Sequence, residues 1–239
     1  PESVWRRVQL VYTCSPANPS GRVMTLHEWE ELFALSDRYN FVIASDECYS
    51  ELYFDEKRPP LGGLEAAHRL GRKDFPRLMV FSSLSKRSNV PGLRSGFVAG
   101  DAALVKEFLL YRTYHGSAMS TTVQQASVAA WGDENHVVEN RRIYAEKFAA
   151  VAPLIRPPLL TTSPEAGFYF WVRTPIDDAR FAREFLEAYN VTVLPGSFLA
   201  REAQGINPGK NHIRLALVAP IDECVEAAHR LEQFSKRFQ

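Results

Sequence analysis

Residues 83–94 of the chain read Ser-Leu-Ser-Lys-Arg-Ser-Asn-Val-Pro-Gly-Leu-Arg, and the rest of the sequence is organised around them. The preceding run, Arg77–Ser82, has an apolar centre that predicts a buried strand. Lys86 therefore follows the carboxyl end of a strand, where open α/β sheets bind ligands. A desolvated lysine there can lose its proton and form an imine with an aldehyde.

Polar groups around Lys86 extend this interpretation. Ser83 and Ser85 supply hydroxyl donors, and Arg94, eight residues after the lysine, offers a planar fork for a phosphate group. The alternative is a polar loop with an ordinary surface lysine, because Ser-x-Ser-Lys tetrapeptides are common by chance. The stretch alone favours that alternative, so the decision rests on the other motifs of the chain.

Composition excludes several classes of protein. The 239 residues are 46% apolar, which is typical of a soluble globular chain with one large domain or one and part of another. The 28 basic residues balance the 28 acidic ones, so nothing indicates nucleic-acid or membrane binding. The three cysteines lie far apart and predict neither a disulfide framework nor a metal site, and a cytoplasmic location is expected.

Alternating apolar runs and helical patterns predict an α/β fold with a mostly parallel central sheet. A helix is predicted from Thr25, which forms a capping box with Glu28, and a short helix within residues 62–73. Strands are predicted at residues 8–12, 41–44, 77–82 and 95–100. The chain begins at Pro1 without Met and reaches a core strand almost at once, so we expect the N-terminal part of the large domain to be absent.

Helices dominate the next part, at residues 101–113, 121–131 and 135–155. Prolines after residue 152 indicate a boundary, so residues 1–150 are predicted to form a large domain with an interdomain helix. Residues 151–239 are predicted to form a smaller C-terminal α/β domain. Its predicted strands are 168–172, 191–194 and 212–218, and its predicted helices are 177–189 and 221–238.

Four motifs then occur in order; the first three follow predicted strands of the large domain, and the fourth lies in a predicted strand of the smaller one. They are Ser15-Pro-Ala-Asn18-Pro-Ser-Gly21, Asp46-Glu-Cys-Tyr49, Ser83-Leu-Ser-Lys86 with Arg94, and Arg214 within His-Ile-Arg-Leu-Ala-Leu-Val. Together they resemble the C-terminal part of fold-type I pyridoxal-phosphate-dependent aminotransferases, the class I/II or aspartate aminotransferase superfamily. The resemblance covers nearly the whole chain and implies pyridoxal 5'-phosphate as cofactor and transamination as activity.

The resemblance implies roles at the cofactor ring for four residues, of which Lys86, Asp46 and Tyr49 are the catalytic ones. Lys86 would form the Schiff base with the cofactor and shuttle the substrate proton. Asp46 would pair with the protonated ring nitrogen, which keeps the ring electron-withdrawing. Tyr49 and Asn18 would hydrogen-bond the ring oxygen, and Asn18 would also contribute to substrate binding.

The remaining implied roles concern anions. Ser83 and Arg94, with Ser85 as a weaker candidate, would hold the cofactor phosphate. Arg214 would bind the substrate α-carboxylate as a bidentate partner. No metal is implied.

Each of these residues also has an ordinary structural alternative. Asp46 could cap a helix, Asn18 between two prolines is typical of a turn, and Tyr49 could simply pack. Arg214 in an apolar strand is harder to explain in that way, because a buried guanidinium needs an anionic partner. None of the six histidines is predicted to pair with an acid in a triad or a metal-binding spacing.

Within the superfamily, residues 195–203, 205–209 and 213–218 resemble bacterial N-succinyldiaminopimelate aminotransferases of lysine biosynthesis. That resemblance implies a ping-pong reaction between small molecules. Glutamate is the expected amino donor, and a 2-oxo acid such as N-succinyl-2-amino-6-oxopimelate is the candidate acceptor. It also implies a homodimer.

Two other functions stay open for the same fold. A C–S β-lyase would use the same lysine to expel a thiol. An aminotransferase-like effector domain of a transcription regulator would bind a ligand without catalysis, although the balanced charge gives no support for it.

Overall fold

The computed structural model describes residues 1–116 and 118–239, which form two compact units. The first unit comprises residues 1–18 and 22–140, and the second comprises residues 19–21 and 141–239. The division into domains at residue 150 stays a prediction. In the described residues, no helix is both long and apolar enough to cross a membrane.

The first unit contains a four-stranded sheet in sequential order, which confirms the α/β class. Its strands are β1 (Leu10–Cys14), β2 (Val42–Asp46), β3 (Leu78–Ser83) and β4 (Gly96–Gly100). The first three are parallel and β4 runs antiparallel to β3. That last direction follows from the β3–β4 connection, which contains only short helical turns and no helix long enough to cross the sheet.

Helices α2 (Leu26–Tyr39) and α3 (Gly63–Arg69) follow β1 and β2 and supply the core. The predicted capping box is confirmed: the Thr25 side chain accepts the Glu28 backbone N–H, and Glu28 accepts the Thr25 backbone N–H at 2.9 Å. Trp29 and Phe33 of α2 are buried against residues of the sheet and α3. The buried partners are Phe41, Ile43, Ala66, Ala67, Leu78 and Val80.

The other helices that begin in the first unit are α1 (Glu2–Trp5), α4 (Leu84–Arg87), α5 (Ala102–Tyr114), α6 (Thr121–Gly132) and α7 (Asn135–Val151). The last three lie close to the predicted bounds, whereas the sequence predicts no helix at α1 or α4. Asp101 begins α5 by accepting the Ala103 backbone N–H at 3.0 Å, and it also accepts the Arg77 backbone N–H at 2.8 Å. This single carboxylate therefore joins the start of α5 to the start of β3.

The second unit has its own antiparallel sheet in the order β5 (Leu160–Thr161), β6 (Tyr169–Arg173), β8 (His212–Ala216) and β7 (Leu194–Pro195). Helices α8 (Asp178–Tyr189) and α9 (Ile221–Ser235) follow β6 and β8. Aromatic residues pack between these two helices: the ring centres of Phe181 and Phe185 of α8 lie 4.9 and 5.2 Å from that of Phe234 of α9. The strand predicted at residues 191–194 is wrong in its bounds, because only Leu194 and Pro195 pair with β8.

Candidate active site

The candidate site begins where the three parallel strands of the first unit end together. Cys14, Asp46 and Phe81 are aligned across the sheet. The pairing continues one residue further, because the backbone N–H of Ser15 donates to the Asp46 carbonyl and that of Glu47 to the Phe81 carbonyl, at 3.1 and 2.9 Å. The loops that follow β1, β2 and β3 consequently start side by side.

A cleft of about 590 Å³ lies at this edge and collects most of the predicted site residues. Those that line it are Asp46, Tyr49, Ser83, Ser85, Lys86 and Arg94. Its other lining residues are Cys48, Phe81, Ser82, Ser95, Gly96, Phe97, Val98, Phe108 and Arg112. An amine, a carboxylate, a phenol, hydroxyls and guanidinium groups thus share one concave surface.

Two predicted residues are not in that lining set. Asn18 is exposed in the loop after β1. Among the described residues, it is not one of those that line the cleft. Arg214 belongs to β8 of the second unit, where its guanidinium carbon lies 5.1 Å from the centre of the Tyr169 ring. The roles expected for both residues stay predictions.

The turn after β2 orients two consecutive carboxylates differently. Asp46 is exposed, and its Oδ1 accepts the Cys48 backbone N–H at 3.0 Å, so it closes a turn and does not cap a helix. Glu47 is only 8% exposed and accepts the Ser45 hydroxyl at 2.9 Å and the Gly63 backbone N–H at 2.7 Å. Burial raises the pKa of Glu47, although the hydrogen bonds from those two donors act in the opposite direction and lower it.

Cys48 contacts the last residues of two neighbouring strands, Asp46 of β2 and Ser83 of β3, both of which are predicted to bind the cofactor. Its sulfur is 3.3 Å from the Ser83 hydroxyl, which also accepts the Ser85 backbone N–H. Burial raises the pKa of the Cys48 thiol to about 11, so this side chain is a neutral thiol at physiological pH. It acts as a small hydrogen-bonding neighbour of Ser83.

Lys86 is carried by the one-turn helix α4, which is fixed on its buried side. Leu84 is fully buried, and its backbone N–H donates to the Ser95 carbonyl at 3.1 Å. Arg87 is 4% exposed; it donates to the Ala130 carbonyl at 2.8 Å and pairs with Glu134. Because Leu84 and Arg87 anchor one face of the turn, Lys86 lies on the side that lines the cleft.

Arg94 ends the 3-10 turn Pro91–Leu93 in the left-handed region, with φ of 54°. A residue with a side chain rarely adopts this conformation, so the surrounding turn must hold it. Its guanidinium donates to the Pro91 carbonyl at 2.9 Å and remains exposed at the cleft. Backbone and side chain together direct a cation to the cleft.

Sequence reasoning missed the contribution of α5 to this cleft. Phe108 and Arg112 both line it, and they are four residues apart on one helix face. Phe108 packs edge-on against Phe81 of β3, with ring centres 5.9 Å apart. The signal was hidden because α5 carries exposed apolar residues around its circumference, including Leu109, Leu110, Tyr111 and Tyr114.

The prediction that no histidine pairs with an acid in a triad spacing is wrong. His136 Nδ1 lies 2.8 Å from Asp133 Oδ2, and its Nε2 lies 2.8 Å from the Ser88 hydroxyl. The acid is close in sequence but the serine is 48 residues away, and no pattern within one segment indicates such an arrangement. No group of three His, Cys, Asp or Glu side chains in the described residues could hold a metal ion.

Comparisons with known proteins show the family to which this chain belongs. The family model described as "Aminotransferase class I and II" matches residues 2–231. A crystal structure of an aminotransferase from Neisseria meningitidis is 55% identical, with a TM-score of 0.93 over 100% of this chain and 60% of that one.

Two further relatives carry more specific names. An LL-diaminopimelate aminotransferase of Nitratidesulfovibrio vulgaris is 30% identical over 97% of this chain. A probable N-succinyldiaminopimelate aminotransferase from Thermus thermophilus is 27% identical, with a TM-score of 0.86 over 98% of this chain and 61% of that structure. The chain spans 58% of the length of the first of these relatives.

Proposed function

The chain belongs to the class I and II aminotransferase family, which depends on pyridoxal 5'-phosphate, and we propose that it carries the cofactor cleft of an amino-acid transaminase. The observation that carries this proposal is the position of Lys86, Asp46 and Arg94 on one cleft. These residues come from the ends of two neighbouring parallel strands and the loop that follows them.

The residues of the cleft fit the chemistry of that cofactor. Its aldehyde requires an amine, its ring nitrogen a carboxylate, and its phosphate a cation with hydroxyl donors. Lys86 offers the amine, Asp46 the carboxylate, and Arg94 with Ser83 the anion partners, all at a cleft of about 590 Å³. Tyr49 adds a phenol for the ring oxygen.

When bound, the cofactor withdraws electrons from the substrate Cα and carries the amino group from one substrate to the other. The chain's own groups hold and move protons. Asp46 would accept a hydrogen bond from the protonated ring nitrogen and keep that proton in place, and Lys86 would hold the cofactor through its amine and carry the proton removed from the substrate Cα. Ser83, Ser85 and Arg94, which line the same cleft as Lys86, would hold the phosphate and so orient the cofactor toward the lysine.

For the substrates, we propose glutamate as amino donor and a 2-oxo dicarboxylic acid of the diaminopimelate type as acceptor, with N-succinyl-2-amino-6-oxopimelate as the specific candidate. The names of the two diaminopimelate-type relatives support this choice. Arg214 is proposed to bind the α-carboxylate that all these molecules share. We further propose that the protein is cytoplasmic and forms a homodimer. Light scattering of the purified full-length protein would test the dimer.

Replacement of Lys86 by alanine tests the proposal. In the full-length protein, Lys86→Ala should lower the transamination rate by at least about 100-fold, the smallest usual contribution of a positioned proton carrier. Borohydride should then fix cofactor to the wild-type protein but not to the variant. Lys57→Ala is the matched control, since Lys57 is an exposed lysine of the same unit.

Retention of transamination in Lys86→Ala would refute the assignment. Release of pyruvate and a thiol by the wild-type protein, without any 2-oxo acid acceptor, would instead favour the C–S lyase.

A further inference from the structure

Three consecutive residues after Lys86 each form a hydrogen bond to α6 or to α7. Arg87 donates to the Ala130 carbonyl, Ser88 hydrogen-bonds His136 Nε2, and Asn89 donates to the Asn140 side chain at 2.8 Å. We name Arg87, Ser88 and Asn89 the clamp segment. Since the clamp segment directly follows Lys86, whatever fixes it also limits where the lysine can lie.

His136 is the central partner of the clamp segment. One ring nitrogen contacts Ser88 and the other contacts Asp133, both at 2.8 Å. Asp133 is itself fixed, because its second oxygen accepts the Asn135 backbone N–H at 3.0 Å at the start of α7. The interaction with His136 is the first cause that lowers the pKa of Asp133. A continuous hydrogen-bonded path thus runs from α7 through His136 to Ser88.

The order serine, histidine, aspartate is also that of a hydrolytic triad, which is identified by geometry and not by sequence order. A hydrolase needs a substrate cleft and oxyanion donors beside its serine. Ser88 does not belong to the cleft described above, and it lies only two residues from Lys86. The surroundings therefore favour a role toward the lysine.

We propose that His136 is a positioning residue for Lys86, acting through its hydrogen bond to Ser88. The inference rests on the proposed function, since the reaction that it serves is the condensation of the Lys86 amine with the cofactor aldehyde, which forms a C=N bond and releases the aldehyde oxygen as water. Such an attachment depends on the effective concentration of the amine at the aldehyde carbon. Loss of the Ser88–His136 bond lets the end of α4 move, which spreads Lys86 Nζ over more positions and lowers that concentration.

Two substitutions separate the two hydrogen bonds of His136. The glutamine amide reaches about as far as Nε2, and the asparagine amide about as far as Nδ1. His136→Gln should consequently keep the bond to Ser88 and lose Asp133, whereas His136→Asn should keep Asp133 and lose Ser88. Ser88→Ala removes the same bond from the other side, and His27→Gln is the control, because the side chain of His27 is 76% exposed.

The measurement compares two ligands of the full-length protein by fluorescence titration. Pyridoxal phosphate has the aldehyde that bonds to Lys86, whereas pyridoxamine phosphate has none. His136→Asn and Ser88→Ala should bind pyridoxal phosphate about fivefold more weakly, as expected for one net hydrogen bond. His136→Gln should remain within about twofold of the wild type, and no variant should change the affinity for pyridoxamine phosphate.

Other results would overturn the inference. Equal weakening of both ligands would mean that His136 supports the whole site and not the lysine. A larger effect of His136→Gln than of His136→Asn would mean that the contact with Asp133 matters and the one with Ser88 does not. Labelling of Ser88 by a fluorophosphonate probe would identify a hydrolytic serine. If the wild type binds neither ligand, the proposed function fails, and the inference with it.

Discussion

Replacement of Glu47 by alanine should destabilise the first unit strongly. Glu47 is buried directly beside the exposed Asp46, and its Oε1 accepts the Ser45 hydroxyl and the Gly63 backbone N–H. Both donors are themselves buried, so water cannot replace the lost carboxylate without access to the interior. The substitution therefore leaves two donors without their acceptor, one in β2 and one in α3.

The magnitude follows from the two orphaned donors. A buried donor left unsatisfied costs about 1–3 kcal/mol, so two of them predict a loss of about 2–6 kcal/mol in the free energy of unfolding. Rotation of the Ser45 hydroxyl toward another acceptor would place the result at the lower end. Because small domains are stable by only about 5–15 kcal/mol, the variant should show a clearly lower denaturation midpoint.

Glu47→Gln is the conservative comparison, because its amide oxygen still accepts both bonds. Burial raises the pKa of Glu47 above the ordinary 4.5. The wild type consequently holds the stabilisation from this group fully below pH 4.5 and loses it as pH rises through the raised pKa. Glutamine has no such titration, so the stability of the variant relative to wild type should improve between pH 4.5 and neutrality.

Urea unfolding followed by tryptophan fluorescence measures these effects, because Trp29 is fully buried in the core of this unit. The control is Glu65→Ala, which removes an exposed pair with Arg69 and should change stability by about 0.5 kcal/mol or less. A Glu47→Ala variant within about 1 kcal/mol of wild type would show that its two hydrogen bonds do not carry the energy assigned to them. An unchanged pH profile in Glu47→Gln would contradict the raised pKa.

Two further predictions concern the capping box and the proposed carboxylate partner. Thr25→Ala should lower the free energy of unfolding by about 1 kcal/mol in urea titrations at pH 7. The backbone N–H of Thr25, with Arg22, lowers the pKa of Glu28 to about 2, so its stabilisation is lost as pH falls from 4.5 toward 2, and Glu28→Gln should flatten that loss. Arg214→Lys should raise KM for both the amino donor and the 2-oxo acid about tenfold or more, because a bidentate contact becomes a single one. Its affinity for pyridoxal phosphate should stay unchanged, and a selective loss for one substrate would refute a contact with the shared carboxylate.

Most of the first sheet could be predicted from local patterns, since each strand and helix has its own signal. The capping box at Thr25 and the buried run before Ser83 are examples, because both depend on residues close in sequence. The bounds of β1 could not be found in that way. It was predicted at residues 8–12 but extends over Leu10–Cys14, because the partner strand continues to Asp46 and the hydrogen-bond register with it determines the end.

The site shows the same division between local and distant signals. Residues at strand ends were recognisable, and Asp46, Lys86 and Arg94 do line one cleft. Contacts between distant segments were not, because no pattern within one segment specifies its partner. Arg112 enters the cleft from α5, and His136 reaches Ser88 across 48 residues of sequence.

The position of Asp46 illustrates why the chemistry lies at the strand end. β2 lies between β1 and β3, and its residues from Ile43 to Ser45 are buried. A carboxylate earlier in the strand would need partners on both faces, at a high desolvation cost. Only at the last residue does the side chain become exposed, while the next one, Glu47, turns inward and requires two donors. Parallel register then brings the loop after β3 to the same edge, so Lys86 and Asp46 line one cleft because of the topology and not because of sequence proximity.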